Sequence, residues 1–164
     1  IGVGNDFRRI GLLRDPTNFG TSTVATATTR RQIYATIFSS VSGTFTADEE
    51  INQATTGAVA KVIEFDSTNK ILYYYQTRFP DVGTDTNGNL TAISGANAIT
   101  GQTSSASATP NTSSSATVNG VTFASGYANP ELAYDSGDII YVEERSPITR
   151  ASDQTENIKL IIEF

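Results

Sequence analysis

Apolar residues along this chain recur at every second position in short runs, the spacing of β-strands, and nowhere sustain the 3.6-residue spacing of a long helix. In residues 31–40, Ile33, Ala35 and Ile37 alternate with Tyr34, Thr36 and Phe38. The β-branched and aromatic content predicts a strand there, with apolar groups on both faces. Residues 58–65 and 71–76 predict a hairpin. Val59, Lys61, Ile63 and Phe65 alternate with Ala60, Val62 and Glu64, and Asp66-Ser67-Thr68-Asn69 supplies the turn. Residues 138–143 and 157–164 predict two more strands, the last placing Ile158, Leu160 and Ile162 on one face.

The remaining segments are less regular. Phe7, Ile10 and Leu13 could share one face of a short helical turn, but Gly2, Gly4 and Gly11 oppose a regular helix. Residues 21–29 read as irregular or as an edge strand. Thr46 and Glu49 have capping-box spacing. Because only Ile51 and Ala54 could face a core, a polar turn and short strand are expected over 46–57 instead of a helix. Residues 102–117 are nearly all Ser, Thr and Ala, too poor in apolar area to offset ordering entropy, which predicts a mobile loop or arm. A small hairpin is expected at Val118-Asn119-Gly120-Val121.

About eight strands without a long helix predict an all-β (mainly β) chain, specifically a β-sandwich with an inserted small β module and long polar loops. In this layout residues 1–44 together with 122–164 form the sandwich domain, containing the strands at 31–40, 138–143 and 157–164. Residues 45–121 are the inserted module.

Charge and composition narrow the function. The net charge is −6, and the basic residues sit in isolated pairs, Arg8-Arg9 and Arg30-Arg31. Binding to a phosphate backbone needs a basic stripe, so no nucleic-acid partner is expected. There is no Cys and no His, which removes disulfides, thiolate chemistry, the commonest general base and the commonest metal ligand. The absence of Met, with Ile1 first, predicts that the chain is part of a longer one. No run approaches the roughly 20 apolar residues that span a bilayer, so no membrane insertion is expected.

The candidate chemistry is thin. Asp48-Glu49-Glu50 and Glu143-Glu144 are acidic runs, but neighbours on a strand point to opposite faces, so they read as solvated surface. Residues 81–89 carry oxygen ligands at alternate positions, as calcium loops do. Counted from Asp85, however, the sixth position is Leu90 instead of Gly and the twelfth is Ala96 instead of Glu. Tyr73, Tyr74 and Tyr75 read as packing residues, with an aromatic platform for sugar as the other reading. No catalytic, cofactor-binding or metal residues are assigned, and the chain reads as a non-enzyme.

The two ends carry a resemblance. GNDFRRIGLLRDP at residues 4–16, SGDIIYVEERSPITR at 136–150 and DQTENIKLIIEF at 153–164 are similar to segments of the baseplate wedge proteins of T4-like contractile-tailed phages. The resemblance implies the C-terminal portion of a mainly β, multi-domain subunit without enzymatic activity or cofactor. Such a subunit forms a homodimer, contacts other baseplate wedge proteins, assembles in the host cytoplasm and resides in the virion's tail baseplate. The candidate structural or interface residues are Phe7, Arg8, Ile10, Tyr74, Tyr141, Arg145, Arg150 and Asp153. Arg145 and Arg150, with Glu143, Glu144 and Asp153, are expected to form a charged corner around Pro147. The rival reading is a carbohydrate- or receptor-binding β module of a phage fibre, using Tyr73 to Tyr75 and the carboxylates of 81–85. A carboxylate-only glycosidase, built from two distant strands, is a third.

Overall fold

The computed structural model describes residues 9–26, 31–76, 83–133 and 136–144. Among these there are eleven strands and no helix, so the chain is mainly β. It divides into two compact units, residues 16–136 and residues 1–15 with 137–164.

Within residues 16–136, seven strands form one antiparallel sheet in the order β10-β2-β5-β4-β3-β6-β7. They are β2 (Tyr34–Ile37), β3 (Glu50–Gln53), β4 (Ala58–Asp66), β5 (Ile71–Tyr75), β6 (Ile99–Gly101), β7 (Ser107–Ala108) and β10 (Tyr127–Ala128). Tyr34 pairs with Tyr74, so β2 belongs to the same sheet as the 58–75 hairpin. The boundary expected near residue 44 therefore falls inside this unit, which also contains a two-stranded sheet at residues 117–122.

One end of the sheet, at β7, meets the chain that follows β2. Beyond β2, Phe38 bridges Pro110 and Ser42 bridges Ser107. The bonds are Ser42 N–H to Ser107 O at 2.9 Å, Ser107 N–H to Ser42 O at 2.8 Å and Asn111 N–H to Ile37 O at 2.8 Å. The sheet thus closes along a seam between residues 37–42 and 107–111, which covers the β7 edge that would otherwise invite uncontrolled pairing.

Side-chain alternation fills both sides of this wall. Phe38, Phe45, Ile51, Ala58, Ala60, Val62, Leu72, Tyr74, Ile93 and Ile99 form one buried cluster, inside the closed sheet. Ala35, Ile37 and Ile71 point the other way, against Val121, Phe123 and Ala128. Strand 34–37 is apolar on both faces because both faces are covered. The short hairpin of β8 (Thr117–Val118) and β9 (Val121–Thr122) helps form that outer cover, its turn made by Asn119-Gly120.

Three local features differ from the sequence expectation. The first is a bulge in β4, where the register shifts between Val62 and Glu64. Strict alternation puts Phe65 beside Lys61, but the extra residue re-aims the strand. Phe65 then packs on the inner cluster while Ile63 is left exposed. The second is residues 102–117, expected to be mobile, which supply β7 and the seam. Their small side chains allow close backbone approach: a Cβ on Gly43 would lie 3.2 Å from Ala106 Cα. The third is residues 9–14, which form strand β1 (Arg9–Arg14) where a helical turn was considered.

Gly126 shows how tight the outer cover is. Its φ is 78°, its N–H donates to Ser114 O at 2.8 Å, and its carbonyl accepts from Ile37 N–H and the Thr36 hydroxyl, each at 3.0 Å. A Cβ there would sit 2.5 Å from Asn111 O. Gly126→Ala is expected to cost about 2–4 kcal/mol from left-handed strain plus overpacking. Urea unfolding, compared with the unmodified chain, checks this.

Candidate interface

The second unit contains an antiparallel two-stranded ribbon, β1 with β11 (Asp138–Glu144). The sequences RIGLLR and DIIYVEE place charges at the ends and large apolar residues between them. Arg9 lies opposite Glu144, Gly11 opposite Val142, Leu12 opposite Tyr141, Leu13 opposite Ile139 and Arg14 opposite Asp138. The register shifts between Leu12 and Leu13, leaving Ile140 as the extra residue. Leu12 and Tyr141 therefore share one face, and Leu13 shares the other with Ile139 and Val142, because successive side chains point to opposite sides.

Both faces are exposed. Of the eight large apolar side chains left exposed among the described residues, six lie on this ribbon, including Leu12 at 53%, Ile139 at 68%, Ile140 at 58% and Val142 at 53%. A two-stranded ribbon alone is marginal in water, and contiguous exposed apolar surface marks a protein-contact site. At one end Arg14 Nη2 donates to Asp138 Oδ2 at 2.8 Å, with both side chains largely exposed. Such a pair contributes only about 0–1 kcal/mol, so it orients more than it stabilises. On β11 itself, the Tyr141 hydroxyl donates to Glu143 Oε2 at 3.2 Å. An apolar centre with a polar rim is the composition of a protein interface.

The structure places the sequence candidates unevenly. Tyr141 lies on the exposed ribbon, and Ile10 belongs to β1. Tyr74 is only 2% exposed, stacked on Tyr34 with ring centroids 5.7 Å apart and planes at 17°. Burial pushes its phenol far above the usual range, with Tyr127 and Tyr34 adding to the shift. It is a core residue. Phe7, Arg8, Arg145, Arg150 and Asp153 lie outside the described residues, as do the strand expected at 157–164 and the charged corner around Pro147. Leu12, Ile139 and Val142 were missed as interface candidates. The run of four apolar residues from Ile139 reads equally well as a strand buried on both faces.

The carboxylates elsewhere serve local structure. Asp85 Oδ1 accepts from Asn87 N–H at 2.8 Å and Asn89 N–H at 2.9 Å, and the bonds from Asn89, then Asn87, hold its carboxyl below the usual range. The Asp85 oxygens suggested for calcium thus close their own turn. Asp66 does the same in the hairpin loop, accepting from Asn69 and Thr68. Among the described residues no three acidic side chains gather as a metal cluster.

A cleft of about 390 Å³ is lined by Arg31, Thr122, Tyr127, Asn129 and Glu131. Its guanidinium is committed to the fold, donating to the Ile33 carbonyl and, at 2.7 Å, to Asn129 O. The Glu131 carboxylate accepts from Arg31 N–H at 2.9 Å.

Residues 73–164 match the model of a protein family described as Bacteriophage T4, Gp8. The match runs from β5 to the last residue and includes the closing segment of the resemblance but not residues 4–16. Comparisons with curated proteins and with solved structures returned no match.

Proposed function

Because this chain belongs to the Gp8 family of T4-like phage baseplate wedge proteins, we propose that it builds the tail baseplate by protein–protein assembly through the β1–β11 ribbon. Membership makes it a structural component of the virion baseplate. The mode of assembly is our reading. The observation that carries it is the concentration of exposed apolar side chains on both faces of one ribbon.

The rest of the described surface supports the same reading. The sheet of residues 16–136 closes its seam and buries both faces, so it offers no comparable adhesive surface. The first occupant of the ribbon is a second copy of the chain, because a single apolar patch can be self-complementary about a two-fold axis. Other baseplate wedge proteins then complete the assembly. Catalysis has no part in the reading, and neither does nucleic acid, given a net charge of −6.

Sedimentation equilibrium of the purified chain tests the proposal. Self-association at micromolar concentration is expected. A strictly monomeric species across that range contradicts the reading.

A further inference from the structure

Glu49 is the one buried carboxylate among the described residues, 5% exposed. It retains the reciprocal half of the capping-box pattern, although no helix follows. Its Oε1 accepts from Thr46 N–H at 2.6 Å and from the Ser104 hydroxyl at 2.8 Å. Its Oε2 accepts from Ser104 N–H at 2.9 Å and Thr103 N–H at 3.2 Å. The carboxylate lies directly on Gly101, where a Cβ would meet its two oxygens at 2.7 and 2.8 Å. One side chain before β3 therefore gathers the whole turn between β6 and β7.

That turn controls the seam. Ser104 passes the bond on, its hydroxyl oxygen accepting from Ala106 N–H at 3.1 Å. The next residue, Ser107, makes the two backbone bonds to Ser42 that close the sheet. β7 has only two residues and pairs with β6 through Ile99–Ala108 and Thr100–Ser107. So short a strand depends on the turn that leads into it as well as on the burial of Ala106 and Ala108.

We propose that Glu49 is an acid-released clasp on the seam of the closed sheet: ionised, it holds the 101–106 turn and β7 in place, and protonated, it lets them detach. Protonation turns one acceptor oxygen into a donor facing N–H and O–H groups, so the four bonds cannot all survive. No other charged group among the described residues is hydrogen-bonded to this carboxylate. Asp48 and Glu50 lie on its own segment, Lys61 pairs with Glu50 across β3 and β4, and the 102–105 turn and residues 41–46 contain no ionisable side chain. Burial alone would push the Glu49 carboxyl up, but the bonds from Ser104, Thr46 and Thr103 outweigh it and hold the carboxyl below the usual range. A lowered folded-state value contributes stability above the ordinary carboxylate range and loses it as pH falls through the folded value.

Amide hydrogen exchange read by NMR on the full chain tests the clasp, with Leu72 and Tyr74 as reference amides. On acidification, protection at Thr103, Ser104 and Ser107 is expected to fall by about tenfold or more, as losing a hydrogen bond to a charged group does, while the references hold. In Glu49→Gln the same amides are expected to be weakly protected at neutral pH, with no further response to acid. In Ser104→Ala, which removes one donor and leaves the carboxylate, the release midpoint moves to higher pH. Protection that ignores pH, references that fall in step with the turn, a retained acid response in Glu49→Gln, or an unmoved midpoint in Ser104→Ala would each overturn the proposal.

Discussion

Ile139→Asp is expected to weaken self-association by roughly 30- to 1,000-fold, the range of a central interface residue worth about 2–4 kcal/mol. Ile139 is 68% exposed in the single chain, so the fold gains little from its burial. An aspartate there is solvated in the free chain but desolvated without a partner in an assembled interface. The unfolding curve should therefore stay within about 0.5 kcal/mol of the unmodified chain while association collapses. Val24→Asp is the control: Val24 is also exposed, at 49%, but lies off the ribbon, and its substitution should leave association unchanged. Sedimentation equilibrium and urea unfolding on both variants read the two effects separately.

Tyr74→Ala is expected to cost about 3–5 kcal/mol of folding stability, the range for removing a buried aromatic ring. Tyr74 sits on the central strand β5, opposite Tyr34 in register and stacked on it. It also touches the inner cluster shared by β3, β4 and β6, so no single neighbour can collapse into the space. The urea midpoint should fall without a change in slope. This outcome bears on the sugar-platform reading, because a buried ring cannot stack on a ligand. Loss of glycan binding in that variant would report lost fold.

How much could be read from the sequence depends on the force at work in each segment. The hairpin was legible because alternation and the turn chemistry of Asp66 agree: that carboxylate accepts from Thr68 and Asn69 N–H, each at 3.0 Å. Its bulge was not legible, since a period-2 count runs through Ile63 without a break. The useful signal was the jump from Ala58, Ala60 and Val62 to Phe65, three positions on, which keeps Glu64 outside. Residues 102–117 misled for a different reason. Their order comes from backbone bonds and close contacts between small residues, which leave no hydrophobic period behind.

The ribbon was half legible. The run DIIYVE predicts a strand, but its partner lies more than a hundred residues away, and pairing at that distance leaves no local trace. Gly11, which weakens a helix, also fits a strand, and the Val142 opposite it carries the apolar surface for that step. Exposure was the property that sequence could not supply. Ile139, Ile140 and Val142 have the composition of a core strand, and only the structure shows them exposed.

The most direct test is a hydrogen-exchange comparison of the same chain held above and below its association midpoint. If the apolar ribbon is the surface by which the subunit joins its neighbours, amides across residues 138–144 gain protection in the associated form while those of 71–75 stay as they are. Unchanged exchange at 138–144, with the gain appearing on the closed sheet, would contradict the account.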